Sequence, residues 1–349
     1  MKYSSHNENQ KGFTLVEILV AMLIATTLML AVVRIFSRVG ETYELNAESL
    51  QLMETTRVAL RFIKNDLIQA GYMGCMHADD NESLFRNIDP MINDVQANAY
   101  GVWGDDGVSK PDNLTLFYTQ DLDIRVLTTD TKGKFFPNPS LIVDSVNLYD
   151  AKGDLVVDEG DWLSVNNCAH AAAFILTNSP AQTNAASLGI VDPGTTATGN
   201  VSALEFAQGV DYDGYRNVHM GPMESLGGFG FLATRGGAGN VGKYFHIQYE
   251  VADSEIDGGA TQSLFRLVNG EPRSKTNEVV RMVEDFQVEY GVDDQGGPNG
   301  EGDGVVDFYV DELDVNEQKP VMLKVKVVIN DGTRSQELLN IVKLRNKGL

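Results

Sequence analysis

Asn299-Gly300-Glu301-Gly302-Asp303-Gly304-Val305-Val306-Asp307 places oxygen-bearing side chains at positions 1, 3, 5 and 9 of a loop, with glycine at 6. A calcium loop offers its ligands in that order, and the carbonyl of Val305 would serve at position 7. The twelfth position is Val310 rather than glutamate, so Asp311 or Asp293 would have to complete the shell. Without an ion, the same stretch reads as an acidic hairpin tip. Gly237-Ala238-Gly239-Asn240-Val241-Gly242-Lys243-Tyr244 comes within one residue of a phosphate-binding loop. Tyr244 stands where Ser or Thr would hold magnesium, and a strand pattern follows where a helix is needed. A glycine-rich surface loop is the better reading. His6, His77, His170, His219 and His246 show no paired spacing for zinc. No nucleophile motif is present, and no catalytic site is expected.

Glu17 is the charge that most needs explaining. From Phe13 to Val33 it is the one charged residue among apolar side chains and three threonines. About 20 such residues, each rising roughly 1.5 Å, cross a hydrocarbon core of about 30 Å. The run is therefore long enough to span a membrane. Lys2 and Lys11 precede it, which sets the N-terminus in the cytoplasm and the remainder outside. A carboxylate inside such a run either finds a partner or lies near the interface and reaches back to water. An ordinary secretory signal closes a shorter apolar core with a small-residue cleavage site. Here the small residue, Gly12, comes before the core. An uncleaved signal anchor is the alternative.

The heptapeptide Lys11-Gly12-Phe13-Thr14-Leu15-Val16-Glu17, behind a short basic leader, resembles the processing site of type IV prepilins and type II secretion pseudopilins. The resemblance implies cleavage between Gly12 and Phe13 by a prepilin peptidase, and N-methylation of Phe13. It further implies that Glu17 pairs during assembly with a new α-amino group, its own or a neighbouring subunit's. A buried carboxylate beside an ammonium group is physically reasonable, whereas an unpaired one is not.

Taking away the leader and a long helix leaves roughly 275 residues, enough for one large domain or two small ones. The chain carries a net charge of −22, and the leader (Lys2 and Lys11 against Glu8) holds +1, so the mature chain stands at −23. That acidity repels nucleic-acid phosphates and argues against such a partner. It suits a secreted protein that must stay soluble. Cys75 and Cys168 are the two cysteines, 93 residues apart. In an extracytoplasmic domain an even pair reads as one disulfide. Closing a loop of that size would stabilise the fold by about 4 kcal/mol in the chain-entropy model. Two free buried thiols are the alternative.

Beyond the apolar run, Phe36, Val39, Tyr43, Ala47, Leu50, Met53, Leu60, Ile63 and Leu67 recur at intervals of three, four or seven. The spacing predicts one helix over about 14–70 that turns amphipathic, with Gly71 as its stop. From about 100 onward short alternating runs predict strands. They fall at 114–119, 124–128, 141–149, 162–165, 174–177, 244–251, 263–268, 279–292, 321–329 and 338–344. Asn330-Asp331-Gly332-Thr333 predicts a hairpin turn between the last two.

The stretch Gln69-Ala70-Gly71-Tyr72-Met73-Gly74-Cys75 resembles the end of the long helix in PilW-type minor pilins. Gly160-Asp161-Trp162-Leu163 through Asn167-Cys168 looks like the strand that ends in that family's partner cysteine. Val342-Lys343-Leu344-Arg345-Asn346 is similar to its closing strand. The fold expected is α+β: a long N-terminal α-helix, transmembrane and then amphipathic, packed on a β-rich antiparallel globular head, pilin-like. Expected boundaries are a leader over 1–12, an assembly helix over 13–35, its amphipathic continuation over 36–71 and the head over 72–349. A seam between two sub-lobes is expected near 178–200.

What the resemblance implies is a non-enzymatic minor pilin of a type IV pilus, in a tip or priming complex that promotes assembly, with adhesion or motility as further roles. Its partners would be other minor pilins, the major pilin, the prepilin peptidase, the inner-membrane assembly platform and a tip adhesin. It would sit in the inner membrane with its head in the periplasm, and on the cell surface once assembled. A J-type pseudopilin of a type II secretion system is the nearest alternative. A membrane-anchored periplasmic enzyme or binding protein is another, and it would not explain Glu17.

Overall fold

The structure is a computed structural model. It describes residues 14–74, 76–77, 101–104, 111–130, 140–166, 171–180, 182–184, 200–205, 211–212, 215–216, 239–293, 305–311, 320–330 and 335–344. The chain divides into two compact units, Met1–Thr55 and Thr56–Leu349. One helix, α1 (Leu15–Gln69), supplies the described part of the first unit and contributes its last turns to the second. Its residues from Leu15 to Tyr43 are all solvent-exposed, and Leu15–Ala47 is long and apolar enough to cross a membrane.

All other described elements are strands, in the order β1 (Tyr72–Met73), β2 (Met76–His77), β3 (Val102–Trp103), β4 (Leu114–Asp130) and β5 (Ser140–Asp144). Next come β6 (Trp162–Asn166), β7 (Ala171–Ile175), β8 (Gln182–Asn184), β9 (Asn200–Glu205), β10 (Asp211–Tyr212) and β11 (Tyr215–Arg216). The C-terminal third holds β12 (Gly239–Asp253), β13 (Gln262–Val268), β14 (Glu278–Arg281) and β15 (Val283–Val292). The last three are β16 (Phe308–Val310), β17 (Pro320–Asn330) and β18 (Ser335–Lys343). The α+β expectation is met, and every described strand pairing is antiparallel.

The larger sheet runs β14-β13-β12-β4-β5-β9-β8, with β3 on β4, and β6 joining β12 to β7. Several short runs expected from the sequence merge here. The runs at 114–119 and 124–128 are one strand, kinked where Asp123 takes a positive φ of 55° and the register against β12 shifts. The run at 279–292 is instead two strands, broken at Met282, whose φ is 61°. Neither break has a glycine to announce it. The seam expected near 178–200 falls largely outside the described residues.

One end of this sheet buries a cluster that includes Ile124, Val143, Leu163, Phe174, Leu204 and Val241. Along β4 and β12, alternation places Leu116 and Tyr118 with Phe245, Ile247 and Tyr249 on one face. In the second unit, α1 buries Ala59, Leu60, Ile63, Leu67 and Ala70, the three-and-four spacing of an amphipathic helix.

The smaller sheet has the order β16-β15-β17-β18. Its inner face carries Phe286, Val288, Tyr290, Leu323, Val325 and Val327, all buried. Asp112 ties the segment ahead of β4 to this sheet: its amide donates to the Phe286 carbonyl (2.8 Å) and its carboxylate accepts from the Val288 amide (2.8 Å).

Candidate functional site

The start of α1 is held by its own sequence. Thr14 precedes the first helical residue and Glu17 follows three later, the spacing of a capping box. The Thr14 amide and hydroxyl each donate to Glu17 Oε2 at 3.0 Å, and the Glu17 amide returns a bond to Thr14 Oγ1 at 3.3 Å. Helix N-termini leave amide groups without partners, and this arrangement satisfies two of them. The partner of Glu17 among the described residues is thus Thr14, a pairing that Thr-x-x-Glu advertises in the sequence. Gly12 and Phe13 lie outside the described residues.

Further along the apolar run, the threonine hydroxyls return to the helix backbone. Thr26 donates to the Leu23 carbonyl (3.0 Å), and Thr27 to those of Leu23 and Ile24 (3.1 and 2.9 Å). Neither hydroxyl therefore needs water, which suits a helix surrounded by lipid or by other helices.

A second constellation lies in the second unit, where α1 meets the larger sheet. Asp66 is a charged residue on the buried stripe of the helix. Its Oδ2 accepts from Tyr249 OH (2.5 Å) and Arg266 Nε (2.7 Å). Its Oδ1 accepts from Arg266 Nη2 (3.1 Å) and Tyr118 OH (3.3 Å). A two-pronged guanidinium–carboxylate pair is the strong form of this interaction. Burial would lower the Arg266 pKa, but the hydrogen bond and charge of Asp66 outweigh it and raise it. Burial, and then the Asp66 charge, push Tyr118 up to about 12 and Tyr249 well above its ordinary value. The cluster fixes the helix to β4, β12 and β13 at once. The sequence shows that Asp66 falls on an apolar stripe, but its partner is 200 residues away and only the topology names it.

The glycines that follow the helix are explained by close approach. Gly71 adopts a positive φ of 72°, the left-handed turn that ends a helix. Its amide donates to the Phe117 carbonyl (2.8 Å), and a Cβ on the facing Gly101 would fall 2.2 Å from the Gly71 Cα. Gly74, next to Cys75, packs on Asn166, two residues before Cys168; a Cβ there would lie 2.2 Å from Asn166 Nδ2. Thr119 joins the same segments, its hydroxyl bonding Ser164 Oγ (2.8 Å) and Met73 Sδ (3.2 Å). Cys75 and Cys168 themselves lie outside the described residues.

Of the candidate calcium ligands, Asn299, Glu301 and Asp303 also lie outside them. Val305 and Asp307 are exposed, and the Asp307 amide donates to the Val292 carbonyl (2.8 Å), next to buried Asp293. Among the described residues, no group of three or more His, Cys, Asp or Glu could hold a metal ion. The lysine of the glycine-rich segment sits in strand β12, and Lys243 Nζ lies 3.2 Å from Asp161. His246 is buried, its ring edge-on to Trp103 at 5.9 Å, a packing role.

Residues 8–33 match the family model for the prokaryotic N-terminal methylation motif. Residues 248–344 match the model for type IV pilus-assembly protein W. The second match takes in the last six residues of β12, including Tyr249, then Arg266 and the smaller sheet through β18. No curated protein and no solved structure matches the chain.

Proposed function

We propose, from the matches over residues 8–33 and 248–344, that this chain is a PilW-type minor pilin of a type IV pilus and acts in a tip or priming complex that starts pilus assembly. The family is structural. The observation that carries the reading is a methylation-motif match that ends within an exposed apolar helix and begins ahead of a Thr14–Glu17 capping box.

In this reading the peptidase cuts between Gly12 and Phe13, and Phe13 becomes the methylated N-terminus. In the sequence the new ammonium group stands one residue ahead of Thr14, and Glu17 pairs with it or with that of a neighbouring subunit. Charge neutralisation within the apolar phase follows from that pairing, because an ion pair removes most of the cost of an isolated charge. The apolar surface of the helix is then free to leave lipid and pack against helices of other minor pilins and the major pilin. The head lies in the periplasm before assembly and on the cell surface after it, and the assembly platform and a tip adhesin are its further partners.

Two supporting features belong to the same proposal. Cys75 and Cys168 form a disulfide, a reading supported by the contact of their neighbours Gly74 and Asn166. The loop of Asn299, Glu301, Asp303, Val305 and Asp307 takes a calcium ion. Calorimetry of the purified chain is expected to show calcium heat that Asp303→Asn removes, and a flat wild-type titration would discard the ion.

The test of the main reading is recovery of the protein in sheared pili. Wild type is expected in that fraction with a methylated Phe13 terminus. A chain confined to the membrane with its leader intact would contradict the proposal.

A further inference from the structure

Strand β18 closes one side of the smaller sheet, and no described strand pairs with its outer edge. Its pairing with β17 is regular from Asn330↔Ser335 to Met322↔Lys343. The Leu344 amide donates to the Val321 carbonyl at 3.0 Å, so even-numbered residues turn their backbone groups toward β17. By the alternation of an antiparallel ladder, residues 337, 339, 341 and 343 turn theirs toward the open edge.

Those same residues share the solvent face. In order they are Glu337, Leu339, Ile341 and Lys343, and all four are exposed, Leu339 at 54% and Ile341 at 49%. The two large apolar residues stand at i and i+2, across the ladder from Lys326 and Lys324 of β17. Charged residues on an edge ordinarily block association. Here the two charges are opposite in sign and equidistant from Asn340.

We propose that β18 pairs antiparallel with β18 of a second copy about a two-fold axis at Asn340. In that register Glu337 faces Lys343 of the second copy, Leu339 faces Ile341, and Asn340 faces its own counterpart. Each facing odd-numbered pair exchanges two N–H···O=C bonds, and the two four-stranded sheets become one. The contact is isologous, so both Glu–Lys pairs form together. Opposite charges and apolar pairs directly across a ladder stabilise it, and like charges across it do the reverse. The palindrome of chemistry along the strand selects a second copy as its occupant. The inference rests on this sheet alone and does not depend on the pilus reading.

The experiment is sedimentation velocity of the full chain in detergent micelles, over a range of concentrations. Wild type is compared with Glu337→Lys, Lys343→Glu and the double reversal. Either single reversal makes both mirror pairs like-charged and should weaken association at least about tenfold. The double reversal should restore it. Both sites are exposed, so thermal unfolding serves as the control for folding. A monomeric wild type, association indifferent to the single reversals, or a double reversal as weak as the singles would each overturn the proposal. Indifference to the reversals would assign the association to α1.

Discussion

Thr14 and Glu17 divide one task between them, and substitution separates their roles. Thr14→Ala removes the hydroxyl that accepts from the Glu17 amide and donates to Oε2. Loss of an N-cap typically costs about 1 kcal/mol of helix stability. Thr14→Ser keeps the oxygen. Incorporation into sheared pili should therefore fall for Ala and hold for Ser, and equal incorporation of the two would separate the capping box from assembly. Asp66 is the second decisive residue. Asp66→Asn keeps the shape but leaves the partly buried Arg266 guanidinium without its carboxylate; breaking a fully buried pair costs roughly 3–5 kcal/mol, and the partial exposure of Arg266 reduces that. For a chain of 349 residues that lowers the melting temperature by at most roughly 7 °C. Melting within a degree or two of wild type would mean that Asp66 is not a pin.

At the scale of elements, α1 and the strands beneath it meet through two tyrosines whose protons are held tightly. Tyr118 and Tyr249 have raised pKa values in the folded chain, while in the unfolded chain they ionise near 10. The folded state therefore binds more protons than the unfolded state above pH 10. Their stabilising contribution is complete below pH 10 and is lost as the pH rises toward about 12, the folded value for Tyr118. Melting followed from pH 9 to 12 should show this fall, and Tyr249→Phe should make it shallower. An unchanged slope would remove Tyr249 from the alkaline transition. The spacing of Leu60, Ile63 and Leu67 made the buried helix face legible, and alternation did the same for β12 and β17. Met282 was not legible as a break, because no glycine marks its left-handed backbone, whereas the interruption read between 119 and 124 is a kink at Asp123 within one strand. Nor was the Asp66–Arg266 pair, since a contact across 200 residues needs the sheet order first. The Thr14-x-x-Glu17 pattern is legible as a capping box from its spacing alone.

As a whole molecule, the chain joins one long helix, apolar over Leu15–Ala47, to an antiparallel β-rich body. Its acidity, −22 over 349 residues, keeps the head soluble, while the helix supplies the apolar surface. The most direct measurement is the number of surface pili in a deletion strain complemented with wild type or with Glu17→Ala. The account predicts that pili are lost on deletion, restored by wild type, and not restored by Glu17→Ala at equal protein level. Normal pili in the deletion strain, alongside a defect in exported enzymes, would contradict it and move the chain to a secretion system.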